Sequence, residues 1–311
     1  MQSADMLILR ALESVRSPFF NAVLGALTYL GDETLFMAAA IVLYWCFSKK
    51  WGYYLLATGF FGTLINQFAK ILCRVPRPWV RESAFSIVES ARAAATGYSF
   101  PSGHTASIVS VGGCIARAWK KTWLRIVCAA LIAVVSFSRM YLGVHYPSDV
   151  LFSLVVGVVL VFAVYPLFAQ SDEKPGPALA VIALLAALSL AFALFTELHA
   201  FPADTDPENL SHAVKNAWTL TGCGFGLLVG FPLERRYVNF DGKAVWWAQL
   251  LKAAVGFALI MAIRAGLKPL LSAVFGPRAF CNAIRYFCMV LFAACVWPLT
   301  FRRFATLGKK K

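Results

Sequence analysis

Residues 99–107 read SFPSGHTAS and run directly into apolar sequence that continues to about residue 119. Proline, serine, glycine and histidine at the mouth of a buried helix need a reason. Pro101 can start a helix, and Gly103 lets the backbone approach a ligand closely. Ser102 and the amides from Gly103 onward then sit at a helix start, where unpaired N–H groups and the helix dipole favour an anion. The stretch reads as an anion cradle set at the end of a membrane helix.

The rest of the chain supports the membrane setting. Of 311 residues, 60% are hydrophobic and only 14% charged, and the mean hydropathy is +0.69. A soluble domain of this size would need more polar sequence to clothe its surface. The formal net charge is +14, but the cations fall mainly in short gaps between apolar runs, which fits membrane orientation and excludes a nucleic-acid partner. Eight cysteines form no CxxC pair, so they read as small hydrophobic residues, not as a disulfide framework or a zinc site. The first residues carry Asp5, Arg10, Glu13 and Arg16 amid short apolar pieces and do not read as a cleavable signal peptide.

A crossing helix needs about 20 mostly apolar residues. That measure selects 33–48, 51–72, 103–119, 122–141, 148–169, 178–199, 214–232, 246–270 and 281–300, roughly nine spans in an all-α, polytopic transmembrane bundle. Residues 5–30, broken by charges and Pro18, read as an interfacial helix plus a re-entrant piece, with a full extra span as the rival. Alternate gaps hold Lys49 and Lys50; Arg117, Lys120, Lys121 and Arg125; Arg235, Arg236 and Lys243; and Arg302, Arg303, Lys309, Lys310 and Lys311. By the positive-inside rule these gaps are cytoplasmic. Lys70, Arg74, Arg77, Arg81 and Arg139 lie on the opposite side, where the rule disfavours them. Polar QSDEKPGP at 170–177 divides the chain. The expected divisions are an N-terminal segment 1–32, a transmembrane core 33–170 and a C-terminal transmembrane extension 171–311.

Three polar segments, KILCRVPRP (residues 70 onward), SFPSGH (99–104) and SRMYLGVHYPSD (138–149), each abut the outer end of a span. Lys70, Arg77 and Arg139 supply three cations, and Arg forks match phosphate oxygens. His145 and Asp149, four residues apart, share one face of a helical turn. A carboxylate on one ring nitrogen fixes the tautomer and raises the basicity of the other, which makes His145 a nucleophile towards phosphorus. His104 beside the cradle can protonate the leaving oxygen and then activate water. Taken singly, each histidine reads as an ordinary hydrogen-bonded or interfacial residue, and His199 and His212, read as lacking neighbouring cations or a paired carboxylate, as interfacial. Arg74, Arg81 and Arg92 read as headgroup-facing or solvated cations. Metal binding by His104, His145 and Asp149 is opposed by the three cations aimed at the same place.

These residues resemble a known pattern. Lys70-x(6)-Arg77-Pro78, Pro101-Ser102-Gly103-His104 and Ser138-Arg139-x(5)-His145-x(3)-Asp149 are similar to the three-part signature of the type 2 phosphatidic acid phosphatase superfamily, which includes glucose-6-phosphatase and the vanadium haloperoxidases. The likeness covers residues 30–170. It implies metal- and cofactor-independent dephosphorylation of a lipid phosphate through a phosphohistidine on His145, with Asp149 orienting it and His104 as acid and base. Lys70, Arg77, Ser102, Gly103 and Arg139 would hold the phosphoryl oxygens.

The resemblance also implies a phosphatase core facing the extracytoplasmic side of a bacterial cytoplasmic membrane. Polyprenyl diphosphate, phosphatidic acid, phosphatidylglycerol phosphate and sphingoid phosphate all remain open as substrates. A phosphotransferase is the nearest chemical alternative, and a headgroup-binding lipid transporter using the same pocket is the alternative from another class. The extension beyond 170 is expected to serve packing or homodimerisation, with headgroup contact by Arg264 and Lys268 as its functional rival.

Overall fold

The structure, a computed structural model, describes residues 2–307. Lys309, Lys310 and Lys311, counted above among the inner cations, lie outside the described residues. Among the described residues the regular elements are all helical: α1 (Gln2–Ser14), α2 (Pro18–Leu27), α3 (Glu33–Val42), α4 (Lys49–Cys73), the short α5 (Pro78–Arg81), α6 (Gly103–Ala118), α7 (Thr122–Tyr141), α8 (Pro147–Ala169), α9 (Gly176–Leu198), α10 (Pro207–Leu233), α11 (Trp246–Phe275), α12 (Cys281–Leu291) and α13 (Phe301–Thr306). Local chemistry sets several of these ends. Ser17 caps α2, accepting from Phe20 N, with Pro18 at the first helical position. Gly276, at φ 75°, closes α11.

Each apolar stretch of the sequence is helical, but fewer of them than expected are both long and apolar enough to cross a membrane. Lys49–Arg81, Thr122–Tyr141, Pro147–Ala169, Gly176–Leu198, Trp246–Phe275 and Cys281–Thr306 are the six that are long and apolar enough. Pro18–Gly31 and Glu33–Phe47, bent by 51°, make a seventh when taken as one broken span. The two remaining expectations fall short for different reasons. At 16 residues, α6 reaches only about 24 Å against a hydrocarbon core of about 30 Å. The apolar half of α10 is diluted by Asn216, Thr219, Thr221 and a run of glycines. Six candidate spans and the lipid-compatible surface make this an integral membrane protein. On α8, Leu151, Val155, Val159 and Phe162 stand exposed at helical spacing, an apolar stripe that suits lipid.

The chain forms two compact units, neither continuous in sequence. The first comprises the residues up to Ala39, Thr58–Pro166 and Phe201–Ala213. Its centre is the packing of α6 against α7 and α8, where Gly113 lies against Val161 and Gly157 against Val109 so closely that a methyl group would not fit at either glycine. The second comprises Ala40–Ala57, Leu167–Ala200 and the residues from Val214 onward. An aromatic cluster fills it, with Trp45 against Phe257, Trp297 and Phe301, and Tyr44 against Tyr53 and Phe240. Two of its buried charges are matched: Glu234 meets Lys49 at 2.9 Å, and Lys252 Nζ donates to the carbonyls of Trp45 and Gly242, each at 2.9 Å.

Candidate active site

The first unit gathers all three polar segments. Gly103 opens α6, and Ser102 is its cap, with Oγ accepting from Thr105 N at 3.4 Å and from Thr105 Oγ1 at 3.0 Å. Pro101 therefore precedes the cap and does not start the helix, which corrects the sequence expectation. The reason is that the serine oxygen is the better partner for an unpaired first-turn amide. Both lone pairs of Ser102 are taken, and its own hydroxyl proton is left to donate. A side chain added at Gly103 would meet open space, so the helix mouth is accessible.

The segment between α7 and α8 delivers the histidine. Leu142 N returns to Ser138, and Val144 N and His145 N both donate to the carbonyl of Arg139. This reversal needs Gly143 at φ 81°, where a Cβ would also strike the Arg16 guanidinium. His145 emerges almost wholly buried, with Nδ1 3.2 Å from Asp149 Oδ2. The same carboxylate oxygen accepts from Ser99 Oγ at 2.6 Å and from Tyr146 N at 3.0 Å. With the proton on Nδ1 facing the carboxylate, Nε2 keeps its lone pair, and it faces Arg77 Nη1 at 2.9 Å. Burial, then the positive charges of Arg77, Arg139 and Lys70, hold the imidazole well below the ordinary histidine range, so it stays neutral at pH 7.

The cations are held by neutral groups. Lys70 Nζ donates to the Tyr98 carbonyl at 2.7 Å. Arg77 donates to the carbonyls of Thr96, Gly97 and Val144 at 2.7, 3.0 and 2.8 Å. Arg139, fully buried, gives one Nη1 bond to Thr28 Oγ1 at 2.7 Å, while its Nε and Nη2 find no partner. His104 Nε2 is likewise buried without a partner. Unsatisfied buried donors cost about 1–3 kcal/mol each and persist where a ligand answers them. Cations whose hydrogen bonds go to neutral groups, together with donors without acceptors, suit a bound oxyanion.

Residues 50–173 match the family model described as the PAP2 superfamily, and residues 218–310 match one described as PAP2 superfamily phosphatase, transmembrane extension. The chain belongs to the PAP2 superfamily. It is similar to phosphatidylglycerophosphatase B of Bacillus subtilis (strain 168), 27% identical over 179 residues that cover 53% of this chain and 83% of the relative. It is also similar to undecaprenyl-diphosphatase BcrC of the same organism, 32% identical over 149 residues covering 46% and 74%. A crystal structure of a transmembrane PAP2-type phosphatidylglycerolphosphate phosphatase from Bacillus subtilis aligns at 25% identity over 56% of this chain and 88% of that one, with a TM-score of 0.45. This PAP2 protein is a membrane phosphatase, and Lys70, Arg77, Ser102, Gly103, His104, Arg139, His145 and Asp149 all fall inside the 50–173 match.

Sequence reasoning missed the residues that hold these side chains in place. Ser99 bonds Asp149 across 50 positions and Thr28 bonds Arg139 across 111; no local pattern announces contacts of that range. Of the arginines read as headgroup-facing or solvated, Arg74 bonds Asp204 and Thr205, and Arg92 bonds Glu89. His212, read as lacking a carboxylate, has Glu208 at 3.7 Å one helical turn away. His199 stacks on Phe195. Among the described residues no group of three His, Cys, Asp or Glu side chains could hold a metal ion.

Proposed function

We propose that this protein hydrolyses a lipid phosphate or diphosphate by way of a phosphohistidine on His145, without a metal ion. The observation that carries the reading is the His145–Asp149 pair at 3.2 Å beside Arg139, whose Nε and Nη2 have no partner. Phosphoryl oxygens would take those donors together with Lys70, Arg77, the Ser102 hydroxyl and the amides from Gly103 onward. Nε2 of His145 would attack phosphorus as Arg77 turns from the ring to the incoming oxygens. Burial and then the charges of Arg139, Arg77 and Lys70 lower His104 to about 3; the negative charge of the bound phosphate would offset those cations and let it take up a proton, which it gives to the leaving oxygen as the P–O bond to the lipid breaks. The same histidine then removes a proton from water, whose oxygen takes the phosphoryl group from His145 and frees inorganic phosphate. Asp149 keeps the ring in the correct tautomer and stabilises its positive charge while phosphorylated.

A lipid substrate is supported by the membrane setting and by the names of the relatives, which supply phosphatidylglycerophosphate and undecaprenyl diphosphate as the first candidates. The distribution of Lys and Arg favours an extracytoplasmic site in a bacterial cytoplasmic membrane, with 33–170 as the phosphatase core and 171–311 as an extension. The test is phosphate release by the detergent-solubilised protein from those two lipids and phosphatidic acid, with excess chelator, against His145→Ala. Release that survives chelator and is lost in the variant is the expected result. Equal release from the variant, or release that chelator abolishes, overturns the mechanism, and phosphate recovered on an acceptor lipid instead of in solution marks a transferase.

A further inference from the structure

The helix that carries Asp149 has no capping side chain of its own. Tyr146 stands before Pro147 where an N-cap belongs, and it offers the first-turn amides no nearby oxygen. Asp149 reaches back to Tyr146 N at 3.0 Å, which is half of a capping box. The other half comes from α1, more than 140 residues upstream. Asp5, itself only 7% exposed, accepts from Ser148 N at 3.3 Å through Oδ1 and from Ser148 Oγ at 2.7 Å through Oδ2.

We infer that Asp5 is a positioning residue for the His145–Asp149 pair and that α1 is a strap holding the loops that build the site. This rests on the phosphohistidine reading given under Proposed function. Asp149 Oδ2 serves three donors, and its contact to His145 Nδ1 is the longest of them, at 3.2 Å against 2.6 Å to Ser99 and 3.0 Å to Tyr146. When the first turn of α8 loosens, the contact to the histidine is the one with least to hold it. The strap is fastened elsewhere too. Arg10 bonds Glu82 and the Ala84 carbonyl. Glu13 accepts from Ser86 N at 2.8 Å. Arg16 donates to the carbonyls of Tyr141 and Ser86 at 2.8 and 2.7 Å. Leu9 is fully buried against Phe85 and Tyr146, the neighbour of His145. All of α1 lies outside the 50–173 match, so this strap is separate from the signature that it serves.

The experiment compares wild type, Asp5→Ala, Asp5→Asn, Ser148→Ala and the Asp5→Ala/Ser148→Ala double variant as purified full-length protein, on phosphatidylglycerophosphate and undecaprenyl diphosphate micelles. Thermal unfolding gives the folded fraction, and His145→Ala is run alongside. Asp5→Ala should lower kcat about tenfold or more with KM within about twofold, because a displaced reacting group slows chemistry without weakening binding. Asp5→Asn keeps the shape and the bond from Ser148 N, with the Ser148 hydroxyl turned to accept from Nδ2, and should recover to within about threefold of wild type. The double variant should be no worse than Asp5→Ala by more than about twofold, since both changes remove one interaction. An undiminished kcat in Asp5→Ala with His145→Ala inactive overturns the strap alone, as does a loss that only follows the folded fraction. Persistent release by His145→Ala overturns the reading beneath it, and the strap with it.

Discussion

The two units bury charge in opposite ways. In the second, Lys252 is spent on two carbonyls and the ring of Phe301, and Glu234 is spent on Lys49. Arg285 departs from this in part, since Nη2 bonds Asn282 while Nε has no partner. In the first unit Arg139 is buried just as deeply, yet only one of its nitrogens has a partner, and Arg77 rests on carbonyls and a neutral imidazole. A buried ion whose donors are all answered holds structure together. One whose donors are left open is held ready for a ligand, and the surrounding fold bears its cost.

That contrast can be broken by substitution. His145→Ala should reduce phosphate release on the order of 10⁴-fold or more, because the covalent step has no other nucleophile. Arg139→Met should reduce kcat/KM by roughly 10²–10³-fold, the usual effect of removing a donor aimed at developing negative charge. Its thermal stability should hold or rise, because a buried charge with unmet donors has been removed; a clear fall in Tm would place Arg139 with the structural charges of the second unit. Lys252→Met should do the reverse, costing about 1–3 kcal/mol by taking the Lys252 donor from the Trp45 carbonyl, since Gly242 keeps its bond from Gln249, while leaving kcat/KM of the folded protein within about twofold. A large loss of activity at full folding would erase the distinction between the units.

Acid pH gives a subtler probe. His145 is held below its ordinary value near 6.5 by burial and neighbouring cations, so the neutral nucleophile survives into acid. The limb of the kcat/KM profile that reports this histidine should therefore lie below about pH 6.5. Folding resists protonation of this ring, so its contribution to stability is fully present above the unfolded value and is lost as pH falls through the lowered one. An acid limb at or above pH 6.5 that moves on substitution of Arg77 would show the ring to be less shielded than its surroundings indicate.

Much of the molecule was legible in advance because its signals are local. Apolar run length and the scarcity of charge mark the helices, since lipid offers no partner to exposed backbone. The i, i+4 spacing of His145 and Asp149 brought them together as expected, although not on one helical turn: α8 begins at Pro147, and Asp149 in its first turn reaches back to the ring that precedes it. The difference in spans is local too, for α6 ends at Ala118 after 16 residues and α10 is diluted residue by residue. What lay beyond reach were the long-range partners: Ser99 and Thr28, the acidic partner of Arg74, and α1 closing on Ser148.

The sequence by itself therefore determined an all-helical membrane protein and the kinds of group that meet at its site, because helix pitch, capping and hydropathy act between near neighbours. Only the tertiary structure decided which charges are answered and which are left open, because a hydrogen bond is settled by ångström distances between atoms that the chain separates by a hundred residues or more.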